Sequence, residues 1–170
     1  MRSYFFMLLW MCCTTVVNAQ DNGNGRPSPL KTWDASFGQT QVQIKYGAPS
    51  VKGREIWGKL VPYGEVWRTG ANEATTFETS QDLKVEGKVL PKGKYALFTI
   101  PGKKEWTIIF NKDSNQWGSY AYKSSGDVLR VKVQPVEMDS ELAEQMSFVS
   151  ISGGVALKWE KLMIPINLQE

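Results

Sequence analysis

From Trp33 onward, apolar and polar residues alternate in short runs, the rhythm of strands that turn one face to a core. Val42, Ile44 and Tyr46 alternate with Gln41, Gln43 and Lys45, and Thr75, Phe77 and Thr79 share one face of a further run. Leu83 and Val85 mark another. Tyr95 to Ile100 (YALFTI) and Trp106 to Phe110 (WTIIF) are apolar on both faces, as central strands covered on two sides are. Pro101-Gly102-Lys103-Lys104 between them reads as a hairpin connection. Leu129-Val131-Val133, Met146-Phe148, Val155-Leu157-Trp159 and Ile164-Ile166-Leu168 continue the pattern, with Gly153-Gly154 as a tight turn. Only Ser140 to Met146 carries a helical spacing, and it is too short to change the class. The pattern predicts an all-β domain of two packed antiparallel sheets, a jelly-roll-like β-sandwich, with a closed barrel as the alternative.

Two segments break the rhythm. The first is the N-terminus, where Arg2 precedes the uncharged run Tyr4 to Cys13 and then Val17-Asn18-Ala19. This is the three-part pattern of a secretory signal peptide, and the apolar run falls short of the roughly 20 residues a membrane span needs. The expected organisation is a signal peptide over 1–19, a flexible Gly/Pro/Asn-rich leader over 20–31, and one β-sandwich domain over 32–170. Cleavage removes Cys12 and Cys13, so the exported chain relies on its core and has no disulfide. The expected location is the periplasm or the cell exterior, with no membrane span after cleavage.

The second break is Lys52 to Thr75, KGREIWGKLVPYGEVWRTGANEAT, which lacks a period of two. Irregular connections of this length are uncommon and often functional. Arg54 and Arg68 present planar donor forks suited to oxyanions or vicinal hydroxyls. Trp57, Tyr63 and Trp67 offer flat faces for stacking, and Asn72 and Glu73 add polar contacts. Arg54, Trp57, Trp67, Arg68, Asn72 and Glu73 are therefore the candidate ligand-binding residues. The competing structural reading pairs the arginines with Glu55, Glu65 or Glu73 and uses the indoles to plug the end of the sandwich. Trp117, Tyr120 and Tyr122 form a second aromatic group, which becomes the other wall of one cleft if its loop opens at the same end.

Composition narrows the chemistry. The chain has no histidine, which excludes Ser-His-Asp and Cys-His catalysis and imidazole metal sites. Removing Arg2 from the 20 basic residues leaves 19 against 17 acidic ones, with no basic stripe, so nucleic acid is not an expected partner. Asn111-x-Asp113-x-Asn115 has calcium-loop spacing, but Gln116 and Tyr122 stand where an EF-hand needs Gly and Glu, so no metal site is assigned. No cofactor is implied, and nothing in the pattern specifies an oligomeric state. Asp127 and Arg130, three apart, fall on opposite faces if their strand is regular, with a strand-end ion pair or turn bond as the default role of Asp127. The surviving enzymatic route is a carboxylate pair, Glu65 and Glu73 with Glu55 or Asp127 as substitutes, acting on a glycosidic bond.

The runs GREIWGKLVPYGEVWRTGANEATTF, GKVLPKGKYALFTIPGKKEWTIIFNK and QWGSYAY resemble the secreted bacterial family known as domain of unknown function 2911, over most of the chain from about Trp33. The resemblance implies a predominantly β domain exported by bacteria, particularly of the Bacteroidetes type, and brings no catalytic residues with it. The functional expectation is an exported binder of a glycan or other small polar ligand at the irregular insert. The alternatives are a carboxylate-dependent hydrolase on the same surface and an envelope structural or interaction protein.

Overall fold

The computed structural model describes residues 25–139 and 142–170. The expected signal peptide and most of the expected leader lie outside these residues, as do Ser140 and Glu141. The described residues form twelve strands in two antiparallel sheets that do not close into a barrel, the sandwich that the alternation predicts.

The first sheet contains β1 (Leu30–Phe37), β2 (Thr40–Gly47), β3 (Thr75–Thr79), β6 (Gly93–Ile100), β7 (Trp106–Asn111) and β8 (Asp127–Val133), in that spatial order. The second runs β10 (Ala143–Ile151), β11 (Gly154–Glu160), β12 (Leu162–Gln169), β4 (Leu83–Val85) and β5 (Lys88–Leu90), with β9 (Val136–Glu137) also paired to β12. As their two-sided apolar sequences require, β6 and β7 are interior strands. Their inner faces join the core between the sheets, while Ala96, Phe98 and Ile109 form a second buried cluster on the outer face with Ala74.

The sheet begins earlier than the leader boundary suggests. Leu30 already pairs with Gly47, and Ala48 donates to the Pro29 carbonyl. The described part of the segment with helical spacing is strand, not helix: Ala143 to Met146 belongs to β10, whose register shifts there to fit β11 and the start of the insert. Val51 N–H bonds to the Glu144 carbonyl and Met146 N–H to that of Pro49, so sheet pairing overrides the local pattern.

A second departure occurs in β8. Phe110 pairs with Leu129 but Asn111 with Asp127, so Val128 bulges out of the ladder. The bulge cancels the alternation expected of a regular strand and brings Asp127 and Arg130 to the same face, where they pair at 2.7 Å. Asp127 also accepts from Asn111 Nδ2 and the Tyr122 hydroxyl, a strand-end cluster that fixes the 112–126 loop over the outer face.

Candidate functional site

The irregular segment connects β2 to β3 as residues 48–74, and the structure divides it into three parts. At its start, Arg54 donates from Nε to the Val51 carbonyl at 3.0 Å and from Nη2 to the Ser50 carbonyl at 2.6 Å. These bonds hold the turn against β10. Arg54 serves the backbone and has no carboxylate partner among the described residues.

The middle part is a tight loop. Val61 N–H bonds to the Ile56 carbonyl and Gly58 N–H to that of Val61, which closes Ile56 to Val61 into a compact turn. Gly58 has φ +86, and a Cβ there would stand 2.9 Å from the Tyr63 ring, so the glycine lets Tyr63 fold back beside Trp57. Ile56 and Val61 point into the core and anchor the turn.

Trp57, Trp67, Trp106 and Trp159 meet between the two sheets. Trp57 lies edge-to-face against the other three at centroid distances of 5.0–5.9 Å, and Trp67 stacks on Trp159. Trp67 is only 8% exposed. Its indole therefore plugs the end of the sandwich and is not available to stack a ligand. Trp57 differs. It is half-buried, with one side against the cluster and the other lining a cleft of about 780 Å³. Tyr63 forms a second aromatic wall. Lys103 from the β6–β7 hairpin, Glu137 at the end of β9, Asp139 just beyond it, and the Glu160–Lys161 turn between β11 and β12 complete the rim. These rim residues lie far from the insert in sequence, and the signal that points to them is indirect: Trp159 and Trp106 end or begin strands whose turns carry the charges.

The third part holds Arg68, Asn72 and Glu73. Trp67 bridges Thr99 antiparallel, so Arg68 stands opposite Phe98 on the outer face, in a row that continues through Ile109 to Arg130. Thr75 N–H bonds to the Arg68 carbonyl at 3.1 Å, which pinches residues 69–74 into a small excursion. Two of its residues have left-handed backbone, Thr69 at φ +57 and Asn72 at φ +65. For a β-branched residue that conformation is an outlier costing roughly 1–3 kcal/mol. Buried hydroxyl bonds offset it: Thr69 Oγ1 to Thr99 Oγ1, and Thr75 Oγ1 to the Thr69 carbonyl at 2.7 Å.

The second aromatic group opens at this part of the insert. Glu73 bridges Trp117, Ala74 N–H bonds to the Gln116 carbonyl and Gly118 N–H to that of Asn72. Trp117 and Tyr120 are 63% and 90% exposed on this loop, whereas Tyr122 packs edge-on against Phe98. The six candidate residues thus do not converge on one hollow. Trp57 faces one cleft, Asn72 and Glu73 lie on the ladder with Trp117, Arg68 stands at the start of their excursion, Trp67 is core, and Arg54 is a backbone clasp.

The carboxylates are placed differently from a glycosidase pair built on Glu73. Arg26 donates to Glu73 Oε2 at 2.6 Å, and this bond holds the Glu73 carboxyl below the ordinary carboxylate range. A general acid needs the opposite shift. Asp127 is engaged by its three donors. In the calcium-like segment, Asn111 Oδ1 accepts the Asp113 N–H as an Asx turn, and Asn111 Nδ2 is bonded to Asp127. Among the described residues no group of three or more acidic side chains is arranged to hold a metal ion.

Residues 28–168 match the family model described as protein of unknown function DUF2911. The chain belongs to this family. Neither a curated protein nor a solved structure matches it. The β-rich DUF2911 domain thus has a defined end at which the insert, the β6–β7 hairpin and the β11–β12 turn meet around the cleft of about 780 Å³.

Proposed function

We propose that this DUF2911 protein binds a neutral, hydroxyl-rich ligand, a glycan or a comparable small polar molecule, in the cleft lined by Trp57 and Tyr63. The observation that carries the reading is the state of Trp57. Three other indoles hold one side of its ring rigid while the other side lines the 780 Å³ cleft. A fixed aromatic face binds the C–H face of a sugar without the entropy cost of ordering a mobile side chain.

The rim supports the choice of ligand class. Two lysines, Lys103 and Lys161, stand against three carboxylates, Glu137, Asp139 and Glu160. That supplies donors and acceptors in near balance, which suits hydroxyl groups and disfavours polyanions. The export expected from residues 1–19 fits a ligand met outside the cytoplasm. Calorimetric titration with neutral oligosaccharides tests the reading: the native protein binds, and Tyr63→Ala weakens binding about tenfold, the loss of roughly 1.4 kcal/mol expected of one aromatic wall. Equal affinity in the variant would remove the cleft from the account.

A further inference from the structure

We infer that Arg68, Asn72 and Trp117 form a second binding site, separate from the Trp57 cleft and independent of it, for a ring compound bearing a carboxylate.

Four arginines lie among the described residues, and three have identified acceptors: Arg26 meets Glu73, Arg54 meets two backbone carbonyls, and Arg130 meets Asp127. Arg68 meets none, and its Nε is buried without a partner. An arginine that only covers a surface swings outward until water reaches every N–H. Arg68 is instead held with Nε sealed, which leaves its terminal fork as the solvent-facing end. Such unsatisfied donors persist where the surroundings impose them.

The surroundings here are specific. The left-handed Thr69 directly follows Arg68, and the excursion it begins is pinned by the Thr75 N–H bond to the Arg68 carbonyl. Glu65, three residues before, forms no ion pair with Arg68, and Glu73, five residues on, is taken by Arg26, so the guanidinium has no carboxylate partner among the described residues. Asn72 sits on the same excursion with φ +65. Its backbone carbonyl is bonded to Gly118, and its side-chain amide has no partner among the described residues. The ladder that joins residues 72–74 to 116–118 sets Trp117 opposite Glu73, on the segment next to the one whose Thr75 N–H bonds to the Arg68 carbonyl.

A planar fork, a free amide and an exposed indole on a rigid ladder are complementary to one chemistry. The fork takes a carboxylate, the amide takes a neighbouring hydroxyl, and the indole takes the ring face. A compact inorganic anion would use only the first. An acidic sugar uses all three.

Sodium glucuronate is the probe, with glucose and inorganic phosphate as controls, titrated into the whole exported chain and followed by the NMR signals of the Arg68 Nε–H and the Trp117 indole N–H. Glucuronate is expected to shift both signals saturably, with glucose and phosphate each at least tenfold weaker. Arg68→Lys, which keeps the charge and loses the fork, weakens glucuronate at least tenfold. Asn72→Gly, which tolerates the left-handed backbone and deletes the amide, weakens it several-fold while the melting temperature stays within a few degrees. Phosphate binding as tightly as glucuronate would reduce the site to a simple anion contact and overturn the assignment, as would the absence of saturable shifts in the native protein. Unchanged affinity in Arg68→Lys would also overturn it. The Trp57 signals report the other cleft, so failure here leaves that reading standing, and the converse holds.

Discussion

Trp67 stacks on Trp159 with ring centroids 5.8 Å apart and planes 18° from parallel. The first indole belongs to the insert that follows the β2 strand, the second to β11 of the opposite sheet. This contact ties the irregular segment to the second sheet, the Thr99 bridge and the edge-on Trp106 tie it to the first, and Trp57 closes around the pair. The plug is what makes the outer side of Trp57 a fixed surface.

Removing the plug is costly. Trp67→Ala leaves a large cavity among three indoles and is expected to lower stability by about 3–5 kcal/mol. Trp67→Phe retains part of the stacking and loses less. Urea unfolding of the two variants checks this; a cost below about 1 kcal/mol for the alanine variant would show that the insert does not seal the core.

The Arg26–Glu73 bond makes a pH-dependent contribution. The carboxyl is held low in the folded chain mainly by its hydrogen bond to Arg26. Its stabilisation is therefore fully present above the unfolded carboxylate value, and is lost as pH falls through the lower folded value. Arg26→Ala is expected to raise the Glu73 titration toward the ordinary range. Carboxyl NMR shifts measured across the acid range report it, and an unaltered Glu73 curve would show that Arg26 is not the cause.

Asp127 accepts from Asn111, Tyr122 and Arg130, and Asn111 is itself buried. Asp127→Ala removes an acceptor from all three, leaving Asn111 only the Lys123 carbonyl, and should destabilise by about 1–3 kcal/mol. Burial, followed by the Asp127 bond, pushes the Tyr122 phenol upward, so the same variant lowers the phenol's titration. Ultraviolet titration of tyrosine alongside thermal melting measures both.

Gly58 has its own prediction. Alanine at φ +86 is strained, and its methyl meets the Tyr63 ring. Gly58→Ala should cost about 1–2 kcal/mol and turn Tyr63 away from the cleft. Increased accessibility of Tyr63 to surface-directed nitration checks the displacement.

Much of the fold was legible because alternation is a local property. Val42, Ile44 and Tyr46 are buried as their spacing requires, and the apolar β6 and β7 are interior. The exceptions arise where tertiary pairing decides. Ala143 to Met146 follows β11 despite its helical spacing, and the Val128 bulge puts Asp127 and Arg130 on one face. The insert was recognisable as the unusual segment, but residue type alone did not divide its members. Trp57 and Trp67 have the same side chain and opposite surroundings, because Trp67 lies on the rung with Thr99 while Trp57 sits on the Ile56–Val61 turn. Lys103, Glu137 and Lys161 reach the cleft only through the sheet topology, which brings three distant turns to one end.

The most direct test of the central reading follows the tryptophan and tyrosine side-chain NMR signals during titration with neutral oligosaccharides. The account predicts saturable changes at Trp57 and Tyr63, with Trp33 unaffected because it lies on β1 with its indole N–H bonded to Ser150. Saturable changes that leave Trp57 and Tyr63 unmoved, or no saturable change with any neutral oligosaccharide, would contradict it.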